Sequence, residues 1–386
     1  MSDAPLIYVI AGEPSGDLLG GRIMAALKEE THGQVRFAGI GGARMAEQGL
    51  TSLVPLSELA VMGLAEVLPH APRILRRIKQ TVGDISTRQP DIVVTIDSSG
   101  FNWRVARRLR EAGNKVKLVH VVAPMVWAWR AHRAAEVARW YDRLLVLLPF
   151  EPPYFEKRGL ATEFIGHPVI ESGADKGDGA GFRTRHGIAP GAPLIAVLPG
   201  SRRSEVGRLL PILRETAALL SARYPDLRVV IPAVTHLAAM VRHDATAWPG
   251  APIVVEDDRD KYDALAASNV ALHASGTVAL ELAMAHLPAV TIYRLNPLTY
   301  EIVRRMVRVD YVNLVNLLLG RPAVPEFVRN DGTPERLMAA VSLLLHDADA
   351  RAAQIAAYDA ALAMLGSGGE PPSRRAARQI LGMLSS

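Results

Sequence analysis

The stretch Leu194–Ile231, LIAVLPGSRRSEVGRLLPILRETAALLSARYPDLRVVI, decides the fold. Its first five residues are apolar without a break, as suits a strand buried on both faces. Pro199–Glu205 supplies turn residues, and apolar positions then recur at helical spacing over Gly207–Tyr224. Leu227–Ile231 is a second β-branched run. Strand, helix and strand in this order predict a parallel sheet covered by helices.

The same alternation fills the chain. Strands are expected at Leu6–Ala11, Val35–Ile40, Asp91–Ile96, Val116–Val122 and Arg143–Leu148, then at Leu194–Leu198, Leu227–Ile231, Ile253–Val255, Val270–His273 and Ala289–Tyr293. Helical spacing marks Leu18–Glu30, Arg73–Arg88, Trp103–Ala112, Gly207–Tyr224, Tyr262–Ser268 and Val278–Ala285. Glycines at 173, 177, 179, 181, 187 and 191 make residues 171–191 read as a linker. The expected architecture is α/β: two doubly wound Rossmann-like domains, 1–170 and 192–367, facing a central cleft. A last helix within 368–386 would pack back on the first domain. Ligands in such sheets bind beyond the carboxyl ends of the strands.

With 386 residues, 49% of them hydrophobic and 22% charged, the chain is globular and long enough for two domains. It has no cysteine, which excludes disulfides, thiolate metal sites and a cysteine nucleophile. Neither a signal peptide nor a run of ~20 apolar residues is evident, so a cytoplasmic, soluble or peripheral protein is expected. The net charge of +5 suggests anionic partners: nucleotide phosphates, anionic lipid or nucleic acid.

Three turns at strand ends carry binding chemistry. Ala11–Asp17, AGEPSGD, joins the first strand to the first helix, where unpaired N–H groups could meet an anion or hydroxyl. It lacks the G-x-G-x-x-G spacing, and a tight turn capped by Asp17 or Ser15 is the other reading. Pro199–Glu205, PGSRRSE, offers backbone N–H groups, hydroxyls and two guanidinium groups, a set suited to a diphosphate. A solvated basic turn is the alternative, and the P-loop spacing is absent. Ser275-Gly276-Thr277 opens a helix carrying Glu281, which could accept from both ribose hydroxyls; simple capping by Ser275 or Thr277 is the alternative.

Asp97 ends a strand and is placed to act as general base toward an attacking hydroxyl, or else to cap the next helix. The Asp-x-Asp within Glu256–Asp260 precedes a helix and is read as complementing its dipole, so no metal or other cofactor is expected. No His-x-x-x-His pair supports zinc, and His167 is either a hinge or cleft residue or a plain loop histidine. Val54–His70 is apolar and followed by Arg73, Arg76, Arg77 and Lys79; it suits an anionic membrane surface or a buried helix with a basic face. Met125–Arg130, MVWAWR, sets two tryptophans beside an arginine, and Arg304, Arg305 and Arg308 form another cluster.

Nine segments in order resemble the lipid-A-disaccharide synthase family: AGEPSGD at 11–17, GIGGARM at 39–45, SELAVMGLAEVLPH at 57–70, PMVWAWR at 124–130, LLPFE at 147–151, FIGHP at 164–168, LPGSR at 198–202, ASGTVALE at 274–281 and DYVNLVNLLLGR at 310–321. The resemblance implies a GT-B glycosyltransferase, metal-independent and inverting. It implies transfer of 2,3-diacylglucosamine from its UDP conjugate to the 6-hydroxyl of 2,3-diacylglucosamine 1-phosphate. The first domain would then bind acceptor and the second UDP-sugar, at the inner face of the inner membrane. A homodimer is left open, and nucleic acid is not an expected partner. Asp97 matches the family's base, and Gly200, Ser201, Arg202, Ser275, Gly276, Thr277 and Glu281 its donor-binding segments. Glu13, Ser15, Trp127 and Asn316 fall to the acceptor side or the cleft. The family commonly continues its aspartate with Ala-Pro-Asp-Phe-Asn, whereas this chain has Ser98-Ser99-Gly100-Phe101-Asn102, so its second carboxylate has no counterpart here. Arg203 stands where members often have glycine. The competing readings are another GT-B nucleotide-sugar enzyme, an epimerase or a polyprenyl-linked glycan transferase, and a non-catalytic nucleic-acid or membrane binder.

Overall fold

The structure, a computed structural model, describes residues 4–59, 64–250, 252–294 and 309–384. Residues 60–63 of the apolar stretch, and Arg304, Arg305 and Arg308, lie outside the described residues. The chain divides into two compact units, Met1–Pro168 with Gly368–Ser386, and Val169–Ser367.

The first unit alternates β1 (Leu6–Ala11), α1 (Pro14–Glu30), β2 (Arg36–Ile40), α2 (Ala43–Ala46), α3 (Leu64–Arg88), β3 (Ile92–Ile96), α4 (Ser99–Glu111), β4 (Lys117–Val121), α5 (Arg133–Trp140), β5 (Arg143–Val146), α6 (Pro152–Glu156) and β6 (Ala161–Phe164). All strand pairs are parallel, in the order β2-β1-β3-β4-β5-β6. Side chains alternate across the sheet: Tyr8 and Ile10 pack on one face with Ile78, Ile85 and Val105, while Ile7 and Val9 pack on the other with Ile23 and Leu27. The helix Pro372–Leu384, from the far end of the chain, closes that second face with Ala376, Ala377, Ile380 and Met383. Its polar side is tied to the same unit: Arg143 donates to Gln379 Oε1 at 2.7 Å, and Arg374 pairs with Glu30.

The second unit runs α7 (Gly179–Arg185), β7 (Leu194–Leu198), α8 (Arg203–Arg223), β8 (Arg228–Pro232), α9 (Thr235–Ala245), β9 (Ile253–Val255), α10 (Asp258–Ala267), β10 (Val270–Ala274), α11 (Val278–Met284), β11 (Ala289–Tyr293) and β12 (Glu326–Val328). Its sheet is also parallel, ordered β12-β11-β10-β7-β8-β9. Helices Leu314–Leu319, Pro334–His346 and Ala348–Met364 complete it.

Two strands outside the sequence expectation, β6 and β12, are the edges of their sheets. Each is short and half-exposed, and lacks the unbroken apolar run that marks an interior strand. The glycine-rich stretch 171–191 is folded into the second unit: Phe182 of α7 is fully buried, and a Cβ on Gly177 would stand on the Tyr262 carbonyl of α10. Gly177 and Gly179 serve close packing against α10. Among the described residues, no helix is long and apolar enough to cross a membrane. From residue 73 onward α3 has both expected faces: Ile78, Thr81 and Ile85 are buried, while Leu75, Arg76 and Lys79 are exposed.

Ile380 is fully buried against the first sheet. Ile380→Ala is expected to destabilise the first unit by roughly 2–5 kcal/mol. In hydrogen exchange, protection should fall in β1 and α1 and stay unchanged in β7 and β10. Equal loss in both units would contradict the assignment of this helix.

Candidate functional site

In each sheet the chain starts from an interior strand and leaves toward both edges, so one crevice opens where the direction reverses. In the first unit this falls between β1 and β3, in the second between β7 and β10. The turns singled out from the sequence occupy both points.

In the first unit, Asp97 and Ser98 follow β3 with φ of 48° and 45°, two consecutive non-glycine residues in the left-handed region. Such a pair costs about 1–2 kcal/mol per residue. Asp97 N–H donates to Val121 O at 2.9 Å, and α4 starts beyond at Ser99. The Asp97 carboxylate accepts no N–H of α4, so it does not cap that helix; Ser98 N–H donates to its Oδ1 at 2.7 Å. Burial pushes this carboxyl above the ordinary carboxylate range, and the Ser98 N–H offsets part of that rise. Ser98 is pressed against the β1 turn: a Cβ on Gly12 would collide with its side chain.

Asp17 turns out to serve a different helix. Its buried carboxylate accepts from Gly42 N at 2.6 Å, Arg44 N at 3.0 Å and Met45 N at 3.1 Å, the start of α2. Helix α1 therefore begins at Glu13 and Pro14 with no side-chain cap; Glu13 is half-buried and Ser15 exposed. Gly100 is exposed on α4, and the nearest atom to a Cβ there is Arg104 Nη1 at 3.8 Å, so the position has room for a side chain.

Trp127 follows β4, half-buried, with Nε1 donating to Glu151 Oε1 at 3.1 Å. Glu151 was not singled out as a site residue from the sequence, where it stands only as the end of LLPFE. Just 3% exposed, it also accepts from Leu147 N and Leu148 N at 3.2 and 3.0 Å. Burial pushes its carboxyl up to about 7. Met125 and Trp129 of the same loop are exposed, with the Arg130 guanidinium 4.3 Å from the Trp129 ring centroid. His167 is buried, which lowers it to about 4 and keeps it neutral near pH 7.

In the second unit Gly200 takes φ +110° and Ser201 N–H points at Glu205 Oε2, 3.3 Å away. Arg202 and Arg203 are exposed, and no side chain caps α8. Across the β7–β10 crevice Gly276 has φ +146°, Thr277 is exposed, and α11 also lacks a side-chain cap. The capping alternative for Ser275 does not hold: its hydroxyl donates to Val312 O at 2.7 Å. Glu281 is held by Lys261 at 2.8 Å, both half-buried. Asp257 caps α10 by accepting from Asp260 N at 2.8 Å. Asn316 is fully buried: its Oδ1 accepts from Ala323 N and Val324 N and its Nδ2 donates to Val324 O, all at 2.8 Å. These bonds brace the turn after Leu314–Leu319.

A model of the lipid-A-disaccharide synthetase family matches residues 7–378. The chain belongs to this family. Curated lipid-A-disaccharide synthases from Rhodospirillum centenum and Paramagnetospirillum magneticum are 56% and 54% identical, over 98% and 97% of this chain and 95% and 97% of theirs. It is thus a glycosyltransferase of lipid A biosynthesis. Among solved structures it is similar to a UDP-GlcNAc 2-epimerase from Neisseria meningitidis (TM-score 0.65, 11% identity, 99% of both chains). MurG from Acinetobacter baumannii is also similar (TM-score 0.56, 14% identity, 99% of both). These share the two-Rossmann-domain GT-B fold.

The Gly12–Ser98 contact yields a paired prediction. Gly12→Ala should lower turnover by roughly 10–100-fold, because it displaces the turn that carries Asp97. Ser98→Gly, which removes the obstructing side chain and accepts φ of 45°, should restore most of it. A Gly12→Ala defect that persists in the Ser98→Gly background would contradict this reading.

Proposed function

We propose that the protein transfers 2,3-diacylglucosamine from UDP-2,3-diacylglucosamine to the 6-hydroxyl of 2,3-diacylglucosamine 1-phosphate. The observation that supports this reading is a half-buried carboxylate at the switch point of the first unit and, at that of the second, an arginine-bearing turn with no side-chain cap on α8. Asp97 takes the proton of the acceptor 6-hydroxyl, whose oxygen attacks the anomeric carbon. The new C–O bond forms as the bond to the diphosphate breaks, inverting the centre, and UDP leaves. Arg202, with the backbone N–H groups of Gly200, Ser201, Gly276 and Thr277, stabilises the charge on the departing diphosphate. Glu281, oriented by Lys261, accepts from the ribose hydroxyls. Proteins of similar fold have been solved with UDP-GlcNAc and with UDP, in keeping with a UDP-sugar donor. Glu13, Ser15 and Trp127 line the acceptor side.

The acyl chains and phosphate of the acceptor place the reaction at the anionic inner face of the inner membrane. Exposed Leu75, Arg76 and Lys79 on α3, and Met125 and Trp129 beside Arg130, supply the apolar and cationic groups for it.

With both substrates, the purified protein should release UDP and form a β-1,6 disaccharide 1-phosphate. No acceptor-dependent UDP release would overturn the assignment. Asp97→Asn should lower kcat by about 10²–10⁴-fold with UDP affinity within a few-fold. Arg202→Ala should weaken UDP, measured by calorimetry, by roughly 10–100-fold, as for a lost charge-assisted hydrogen bond. Unchanged UDP affinity would remove the diphosphate role.

A further inference from the structure

We infer that Asn102 is the positioning residue for Asp97, acting through the backbone of the left-handed turn. This rests on the reading of Asp97 as the base. Asn102 is fully buried on the first turns of α4, so it meets no substrate. Its Nδ2 donates to Ile96 O at 3.0 Å and to Asp97 O at 2.8 Å, and its backbone N–H donates to Ser98 O at 3.0 Å. One residue therefore holds three consecutive carbonyls, those of the last β3 residue, the proposed base and the residue after it.

The turn needs such a clamp. A parallel strand entering a helix would continue with ordinary backbone angles, and here two side-chain-bearing residues are forced to positive φ. In that turn the carbonyls of Ile96 and Asp97 both accept from Asn102 Nδ2. Removing Nδ2 takes that donor from each of them. Relaxation of the pair toward negative φ would then swing the Asp97 carboxylate off its line. Asn102 Nδ2 removes that alternative. Its two donors match the two carbonyls, a task that a hydroxyl, with one hydrogen, cannot perform.

The acceptor end of the amide points the same way. Asn102 Oδ1 is buried with no hydrogen-bond partner among the described residues. In the second unit, Asn313 and Asn316 have both ends of their amides engaged. A buried acceptor without a donor destabilises the fold, so Asn102 sits there for its donors.

The test is a double-mutant cycle on the full chain, with turnover, donor KM and UDP affinity measured for Asn102→Leu, Asp97→Asn and the pair. Asn102→Leu keeps the branching at Cγ and removes both donors. It is expected to lower kcat by about 10–100-fold with donor KM and UDP affinity within two-fold. It should cause no further loss in the residual rate of Asp97→Asn. An equal fold-loss in both backgrounds, or a donor KM that rises in step, would overturn the positioning role. Full activity of Asn102→Leu with an inactive Asp97→Asn would do so as well and leave the base standing. Wild-type turnover of Asp97→Asn would instead remove the base assignment. Should Asn102→Leu fail to fold, Asn102→Asp keeps the shape with at most one donor for the two carbonyls. It is expected to show the same loss in kcat alone, and wild-type kcat there overturns the proposal.

Discussion

The constraint on which the molecule depends is that each all-parallel sheet is entered from an interior strand. A parallel pair needs a crossover, and crossovers leaving in opposite directions put helices on opposite faces. Where they part, at β1 and β3 and again at β7 and β10, the loops diverge and leave backbone donors and strand-end side chains uncovered. The sheet interiors are apolar on both faces and rigid, so groups mounted on these ends are held by the core. The C-terminal helix belongs to the same logic: the face that carries α1 is incomplete until Ala376, Ala377, Ile380 and Met383 cover it.

The two ends differ in the charges they carry. At the first, burial raises Asp97 from its ordinary value, while the left-handed turn and the close approach of Gly12 hold the backbone that carries it. At the second, the turn after β7 carries Ser201 N–H with exposed Arg202 and Arg203, the turn after β10 carries Gly276, and neither α8 nor α11 has a side-chain cap. Glu205 sets one carboxylate oxygen on that backbone, 3.3 Å from Ser201 N. Lys261 and Glu281 form a half-buried ion pair.

Interior strands were legible in the sequence because burial on both faces leaves unbroken apolar runs, as in Leu194–Leu198 and Leu6–Ala11. The helical period becomes visible only at Leu18, Trp103, Gly207 and Tyr262, whereas the helices start at Pro14, Ser99, Arg203 and Asp258. First turns carry proline, glycine, serine and aspartate, which hide the helical period. Asp97, Gly200 and Arg202 stood out because strand ends in such sheets are where ligands bind. Glu151, Lys261, Glu205 and Asn102 did not, since their meaning lies in partners 24, 20, 4 and 5 residues away across turns and helices. Asn316 shows the converse: a residue carried over from a family motif, and buried as a brace of its own loop.

The central claim is that Asp97, raised by burial, is the group that accepts the acceptor's proton. Its ionised form is required, so activity is lost as pH falls through its folded pKa. The direct measurement is the pH dependence of kcat/KM for wild type and Asp97→Asn. The account predicts an acid limb in the wild type centred above the ordinary aspartate value of about 4, and no such limb in the residual rate of Asp97→Asn. A limb at or below that value, or one that survives the substitution unchanged, would contradict it.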